Sequence, residues 1–120
     1  KLTIWQWNCS GYRKKRSHLQ QIIQHIQNTP QQKDKVPDII ALQETNGHVR
    51  LPSYKEYNQL GTHNTPGTAI LIHNNLTAVQ HEIESTSIEH MLIEVLPNRK
   101  GDKMLFILNI YSSPKERWAD

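Results

Sequence analysis

The chain has 120 residues, a formal net charge of +3 at pH 7 and a single cysteine. Its length makes one domain or part of one, and one cysteine excludes an internal disulfide framework. No run of 18 apolar residues is present, which excludes a spanning helix, and we expect no signal peptide and no membrane partner. A lone cysteine suits a reducing compartment, so we expect a nuclear or cytoplasmic protein.

The first third of the chain predicts a strand, a helix and a second strand. Residues 2–7 are rich in β-branched and aromatic residues and predict a strand that ends in a loop at 8–11. Ser17 with Gln20 three residues later predicts a capping box at a helix start, and Asn28 and Pro30 mark its end. Between them lies one apolar stripe at helical spacing, formed by Leu19, Ile22, Ile23 and Ile26.

The second strand, residues 38–43, is an apolar run that ends abruptly in the carboxylate of Glu44. A buried strand that delivers a charged residue to its carboxyl edge is how many α/β folds build a site. Glu44 would then be well placed to hold a divalent metal. The alternative is that Glu44 is simply the first polar residue after a strand.

Beyond residue 51 the pattern changes to short strands joined by turns. We expect strands at residues 54–58, 68–73, 77–83, 88–96 and 104–111, with hairpin turns at 74–75 and 99–102, and the start of a second helix at 113–120. The predicted fold class is therefore α/β (α+β). We expect a mixed, mostly antiparallel sheet with the helix on one face.

Polar groups follow three of the predicted strands, namely Asn8, Glu44 and the triplet Asn109-Ile110-Tyr111. If those strands are neighbours, an amide, a carboxylate and a phenol converge on one rim and make a metal and phosphate site. A basic block adjoins the first of them and consists of Arg13, Lys14, Lys15 and Arg16. This block is either a solvated helix entrance or a contact for nucleic-acid phosphates, and Arg50 is a further candidate for such a contact.

Four motifs in order give the chain a resemblance to a known family. They are Trp7-Asn8-Cys9-Ser10-Gly11, Gln43-Glu44-Thr45, Gly67-Thr68-Ala69-Ile70 and Asn109-Ile110-Tyr111. The chain resembles the endonuclease/exonuclease/phosphatase superfamily, and most of all the apurinic-type endonuclease domain of non-long-terminal-repeat retrotransposons. The resemblance implies a four-layered α/β sandwich of which residues 1–120 are the N-terminal half.

The resemblance also implies roles for particular residues. Glu44 would bind Mg²⁺ (or Mn²⁺) directly, Asn8 would help to hold the metal or a phosphate oxygen, and Tyr111 would contact the phosphate near the cut. Gln43 would support the rim around Glu44. The partner would be DNA, and the product a nicked strand that primes reverse transcription.

The chain departs from the family pattern in its later motifs. It contains neither the Gly-Asp-x-Asn segment nor the Ser-Asp-His segment that orients and activates the nucleophile, and Ser112-Ser113-Pro114 stands where a further phosphate-contacting Asn is expected. Because hydrolysis needs a positioned base as well as a metal, we expect this chain alone to be a weak or inactive nuclease.

Three other interpretations stay open at this point: a phosphatase-type member of the superfamily, a non-catalytic nucleic-acid-binding remnant, and an unrelated structural module.

Half a sandwich would also leave an apolar sheet face uncovered, which soluble monomers avoid. We therefore expect a homodimer through the sheet face that the helix does not cover.

Overall fold

The computed structural model describes residues 2–59, 67–81, 89–96 and 103–111. In chain order this part of the molecule contains β1 (Ile4–Asn8), α1 (Arg16–Gln27), a 3-10 helix (Pro30–Lys35), β2 (Ile39–Gln43), β3 (Tyr54–Gln59), β4 (Thr68–His73), β5 (Thr77–His81), β6 (Glu89–Leu96) and β7 (Leu105–Tyr111). The predicted strands are confirmed to within a few residues at their ends. The 3-10 helix between α1 and β2 is an element that the sequence did not predict.

The first sheet has the strand order β1-β2-β4-β3 and carries the predicted mixture of directions. β1 and β2 are parallel and are joined through α1, whereas β4 runs antiparallel to both β2 and β3. The register pairs Asn8 with Gln43, so β1 and β2 end side by side. The carboxyl ends of these two strands therefore share one edge of the molecule.

The remaining strands form a separate antiparallel sheet of order β5-β6-β7, which the sequence did not predict. A turn does occur at Asn74 and Asn75, but the predicted hairpin there is wrong, because β4 and β5 belong to different sheets. β6 and β7 pair directly. The other predicted turn, at 99–102, and the predicted helix start at 113–120 lie outside the described residues.

Two apolar layers hold the molecule together, one on each face of the first sheet. On one face, Leu19 and Ile23 of α1 pack with Ile40 and Leu42 of β2. On the other face the two sheets pack together through residues that alternate along their strands. These are Ile39, Ile70 and Ile72 from the first sheet and Met91, Ile93 and Val95 from the second.

The helix differs from its prediction at its first turn. It begins at Arg16 with Lys15 as the N-cap residue and no side-chain cap, so Ser17 is not the cap and the predicted capping box is wrong. Asn28 is the C-cap, as predicted. Ile22 is 41% exposed, which narrows the buried stripe to Leu19 and Ile23. No helix among the described residues is long and apolar enough to cross a membrane.

The sheet face that we expected to be uncovered is in fact covered, because the second sheet of the same chain packs against it. The exposed apolar surface lies one layer further out. Four alternate residues along β7 and just before it face away from the core and are 42–56% exposed, namely Met104, Phe106, Leu108 and Ile110. An uncovered apolar face is therefore present, but on the outside of the second sheet.

Candidate active site

The loops that follow β1 and β2 run side by side beyond the ends of the strands. The amide of Cys9 donates to the carbonyl of Gln43 at 3.0 Å, that of Gly11 to Glu44 at 2.7 Å and that of Tyr12 to Thr45 at 3.0 Å. These bonds continue the parallel pairing of the two strands into their loops. The backbone around Glu44 is therefore fixed by its neighbour rather than exposed as a loose loop.

Asn109 of β7 joins the second sheet to the same edge. Its buried side-chain amide Nδ2 donates to the carbonyls of Leu42 at 2.9 Å and Ala69 at 3.1 Å, and its Oδ1 accepts from Nε2 of Gln43. Gln43 is itself buried and immediately precedes Glu44. The ends of β1, β2 and β7 therefore meet at one rim, which we call the strand-end rim.

Glu44 adopts a left-handed backbone conformation, with φ of +55°. A side chain other than glycine is strained there, at a cost of about 1–2 kcal/mol. Ser10 and Asn46 in the two adjoining loops share the feature, with φ of +48° and +55°. Strained positions of this kind gather at functional sites more often than elsewhere. Glu44 thus turns the chain out of β2 at the point where a carboxylate is presented.

Cys9 and Lys15 serve the framework of the rim. The Cys9 thiol is fully buried and donates to the carbonyls of Gln43 at 3.3 Å and Glu44 at 3.5 Å, and burial raises its pKa. Cys9 is therefore a packing residue with an unreactive, buried thiol. Lys15 Nζ donates to the Cys9 carbonyl and lies 5.6 Å from the centroid of a Trp7 ring. One member of the basic block thus supports the loop from within.

Three arginines surround a pocket beside the rim, which we call the arginine pocket. It has a volume of about 360 Å³ and is lined by Tyr12, Arg13, Arg16, Thr45, Asn46, Gly47, His48 and Arg50. The structure thus brings Arg13, Arg16 and Arg50 together, although Arg50 is distant in sequence. Lys14, which we grouped with them, is exposed and does not line the pocket.

A match to a family model agrees with this geometry. Residues 5–119 match the model of the Endonuclease/Exonuclease/phosphatase family. The chain belongs to this family. A search of curated proteins gave no match. Members of the Endonuclease/Exonuclease/phosphatase family are generally hydrolytic enzymes and are typically dependent on a divalent metal.

The strand-end rim offers hard oxygen donors of the kind that such a metal takes. Asn8 is exposed and pairs in register with Gln43, one residue before Glu44, so an amide and a carboxylate come from adjacent strand ends. No group of three His, Cys, Asp or Glu side chains that could hold a metal occurs in the described ranges. Mg²⁺ needs only one or two carboxylates, because water and substrate phosphate complete its shell. The donors present fit Mg²⁺ in that mode.

Tyr111 is the last residue of β7, two positions beyond Asn109. The predicted role of its phenol lies outside the described residues, which include the Tyr111 backbone but not its side chain. Of the other candidates, Asn8 and Glu44 lie at the rim, and Arg13, Arg16 and Arg50 lie at the pocket beside it.

Three residues at the site were not among our candidates. Asn109 was noticed only as part of a polar triplet, although a polar residue in the inward row of an apolar strand is itself a signal. Tyr12 directly follows one motif that we recognised, and Thr45 is the last residue of another. The Tyr12 hydroxyl donates to the Arg50 carbonyl at 2.9 Å, and burial raises the pKa of Tyr12 to about 12, so the phenol is neutral at physiological pH.

Proposed function

We propose that this protein is a Mg²⁺-dependent DNA endonuclease that hydrolyses a phosphodiester bond and leaves a nicked strand. The observation that carries the proposal is the strand-end rim, where Glu44 is presented in a strained conformation beside Asn8 and within a fixed backbone. Family membership supports the hydrolytic class. The ordered motifs support the finer proposal, in which the nick primes reverse transcription in a retrotransposon-like protein.

Each residue has a proposed task in that reaction. Glu44 and Asn8 hold the metal, which supplies Lewis-acid polarisation of a phosphoryl oxygen when bound. Gln43 is locked to Asn109 and keeps the backbone before Glu44 in place. Tyr111 contacts the phosphate near the cut. The arginines beside the rim neutralise charge on the nucleic-acid backbone.

The arginine pocket favours DNA over the small phosphoesters that a phosphatase-type member would take. Three arginines around an open pocket of about 360 Å³ suit a polyanion better than a single small ester. A phosphatase remains the second candidate, because the metal chemistry at the rim would be the same. We also propose a nuclear or cytoplasmic location, in keeping with a lone, unoxidised thiol at Cys9.

We propose further that full activity belongs to a protein in which this chain is the N-terminal half, residues 1–120. The motifs that activate the attacking water are missing from the sequence. The chain alone holds a place for the metal but no assigned base, so it should nick DNA weakly or not at all.

The test is the conversion of supercoiled plasmid to the nicked form in the presence of Mg²⁺. The 120-residue chain is assayed beside the parent protein that carries the downstream half, each as wild type and as Glu44→Gln, with EDTA as a metal-free control. We expect the parent protein to nick the plasmid and the chain alone to nick it little. In the parent protein, Glu44→Gln should lower the nicking rate by roughly 100-fold or more, because it removes a direct metal ligand.

Different outcomes separate the candidates. If the parent protein releases phosphate from small phosphomonoesters but does not nick plasmid, the phosphatase becomes the supported function and the endonuclease is rejected. Binding of DNA by the parent protein without hydrolysis of either substrate would indicate the non-catalytic remnant. Strong nicking by the 120-residue chain, abolished in Glu44→Gln, would contradict the need for a base from the downstream half.

A further inference from the structure

We propose that the arginine pocket is a phosphate-binding subsite that works without metal and receives one phosphate of the nucleic-acid backbone beside the phosphate that is cut. The proposal rests on the proposed endonuclease function. It adds a second anchoring point, made by Arg13, Arg16 and Arg50 together with the hydroxyl of Thr45, and it excludes Lys14 from that point.

The first argument is charge. Three guanidinium groups lie around the pocket, and its lining contains no acidic residue. Arg50 has an acidic neighbour outside the lining, Glu56, whose Oε1 lies 3.9 Å from Nε of Arg50. The Arg50 side chain is 81% exposed, so this contact is weak and leaves the guanidinium available to an anion. A guanidinium matches two oxygens of a phosphate at once, which a lysine cannot do.

The second argument is a buried hydroxyl. Thr45 lines the pocket and is 2% exposed, and its Oγ1 has no hydrogen-bond partner in the part of the chain that the structure describes. A buried hydroxyl without a partner is costly, and such groups are rare in folded proteins. A phosphate oxygen in the pocket would give this hydroxyl its acceptor. Binding of a phosphate would therefore remove the free-energy cost of the unpaired Thr45 hydroxyl in the free protein.

The third argument is rigidity. The loop that carries Thr45 and Arg50 is held by Tyr12, through its amide to the Thr45 carbonyl and its hydroxyl to the Arg50 carbonyl. Further along, the Val49 amide donates to Oδ1 of Asn58 at 2.7 Å. The backbone of the pocket is therefore fixed before a ligand arrives, and binding has only to order the exposed arginine side chains.

The pocket opens beside the strand-end rim because Thr45 directly follows Glu44. One strand of nucleic acid could therefore place one phosphate at Glu44 and a neighbouring phosphate at the arginines. Two anchors set the register of the strand, and they orient the scissile bond more narrowly than a single metal contact does.

The test uses inorganic phosphate as the probe and the 120-residue chain with EDTA present. Phosphate binding is followed by shifts of backbone amide signals at residues 45–48. We expect Arg13→Ala, Arg16→Ala and Arg50→Ala each to weaken binding by about tenfold or more. Lys14→Ala, a matched change in the same loop, should leave binding within about twofold of wild type because an exposed lysine outside the pocket makes no direct contact.

Thr45→Val separates a binding role from a structural one, because it keeps the shape of the side chain and removes only the hydroxyl. We expect phosphate binding to fall by about fivefold. The thermal midpoint of the free protein should stay level or rise, since a buried group without a partner has been removed. Unchanged phosphate affinity in Thr45→Val, or equal weakening by Lys14→Ala and the arginine variants, would overturn the assignment.

A second arm distinguishes a backbone phosphate from a free anion. Binding of a short duplex is measured over a range of salt concentrations, and each arginine variant should lower the slope of log K against log salt by about one. A slope that stays the same while inorganic phosphate binding is lost would mean that the pocket takes a free anion only, and this would overturn the backbone assignment. Neither arm involves cutting, so a result in which the chain binds phosphate through this pocket but the parent protein does not nick plasmid refutes only the endonuclease.

Discussion

Glu44 combines its proposed metal-binding role with an unfavourable backbone conformation. Its φ of +55° is one that glycine adopts without strain and that other residues adopt at a cost. The sequence does not predict this conformation, because Gln-Glu-Thr contains no glycine or asparagine, the residues that favour a positive φ. The sequence did indicate that a carboxylate would appear at the end of an apolar strand, since that follows from the order of the residues alone.

The strain at Glu44 can be measured by comparing two variants that both lack the carboxylate. We expect Glu44→Gly to have a free energy of unfolding about 1 kcal/mol higher than that of Glu44→Ala, because only alanine carries the Cβ that clashes in the left-handed region. Urea unfolding at neutral pH measures the difference. Within a strand or helix the order of stability is reversed, because glycine is there less favourable than alanine. Ala41→Gly in β2, compared with the wild-type chain, provides that control. An alanine variant at position 44 as stable as the glycine variant would contradict the strain.

At the scale of elements, Asn109 connects both sheets at the rim. Its amide contacts two carbonyls of the first sheet and accepts from Gln43. Asn109→Ala would remove all three of these buried hydrogen bonds. We expect a loss of about 2–4 kcal/mol in the free energy of unfolding, because each stranded polar group carries a desolvation cost.

The matched control is Asn74→Ala, which removes an exposed amide at the turn between β4 and β5. It should change the free energy of unfolding by less than about 0.5 kcal/mol. Chemical denaturation followed by tryptophan fluorescence compares the two variants. A similar, small effect of both substitutions would mean that Asn109 does not lock the sheets together.

The pattern of elements also explains what could be predicted from the sequence. Short apolar, β-branched or aromatic segments identified the strands, and the helical stripe identified α1, because these patterns follow from local geometry. Pairing between strands is not local. The turn at 74–75 has the chemistry of a hairpin turn, yet the chain there passes from one sheet to the other, since β4 is already paired on both sides. Ser17 failed as a cap for a smaller reason: the helix begins at Arg16, and its N-cap residue is Lys15, two positions before Ser17.

At the site, too, the features set by local sequence could be predicted and those set by folding could not. Asn8 and Glu44 could be found because each directly follows an apolar strand. The arginine pocket could be found only in part, because Arg50 joins Arg13 and Arg16 through the folding of a loop that Tyr12 fastens. Lys14 belongs to the same run of basic letters but lies outside the pocket. Charge runs are visible in a sequence, whereas the direction of each side chain is not.

At the scale of the whole molecule, the outer face of the second sheet is an exposed apolar surface. Phe106 is 55% exposed and Leu108 is 51% exposed, and both lie in one alternating row. Soluble monomers rarely leave such a row in water. We keep the homodimer as a proposal and move its interface from the face of the first sheet to this outer face.

Light scattering at micromolar concentration tests the dimer. We expect the wild-type chain to have twice the monomer mass and Leu108→Lys to have the monomer mass, because a charge in the centre of an apolar interface is costly to bury. Gln6→Lys, an exposed change on β1 of the other sheet, should leave the mass of the dimer unchanged. A monomeric wild-type chain would reject the proposal.

The bond between Gln43 and Asn109 joins residues that are 66 positions apart in sequence. β1 can pair with β2 as soon as the first third of a new chain has left the ribosome, but the rim cannot be fixed until β7 has also emerged. Closing so long a loop carries an entropic cost, so this contact belongs to a late stage of folding. A partly folded or truncated chain would present Glu44 on an unsecured strand end. The fold thereby delays the assembly of the strand-end rim until both sheets are present.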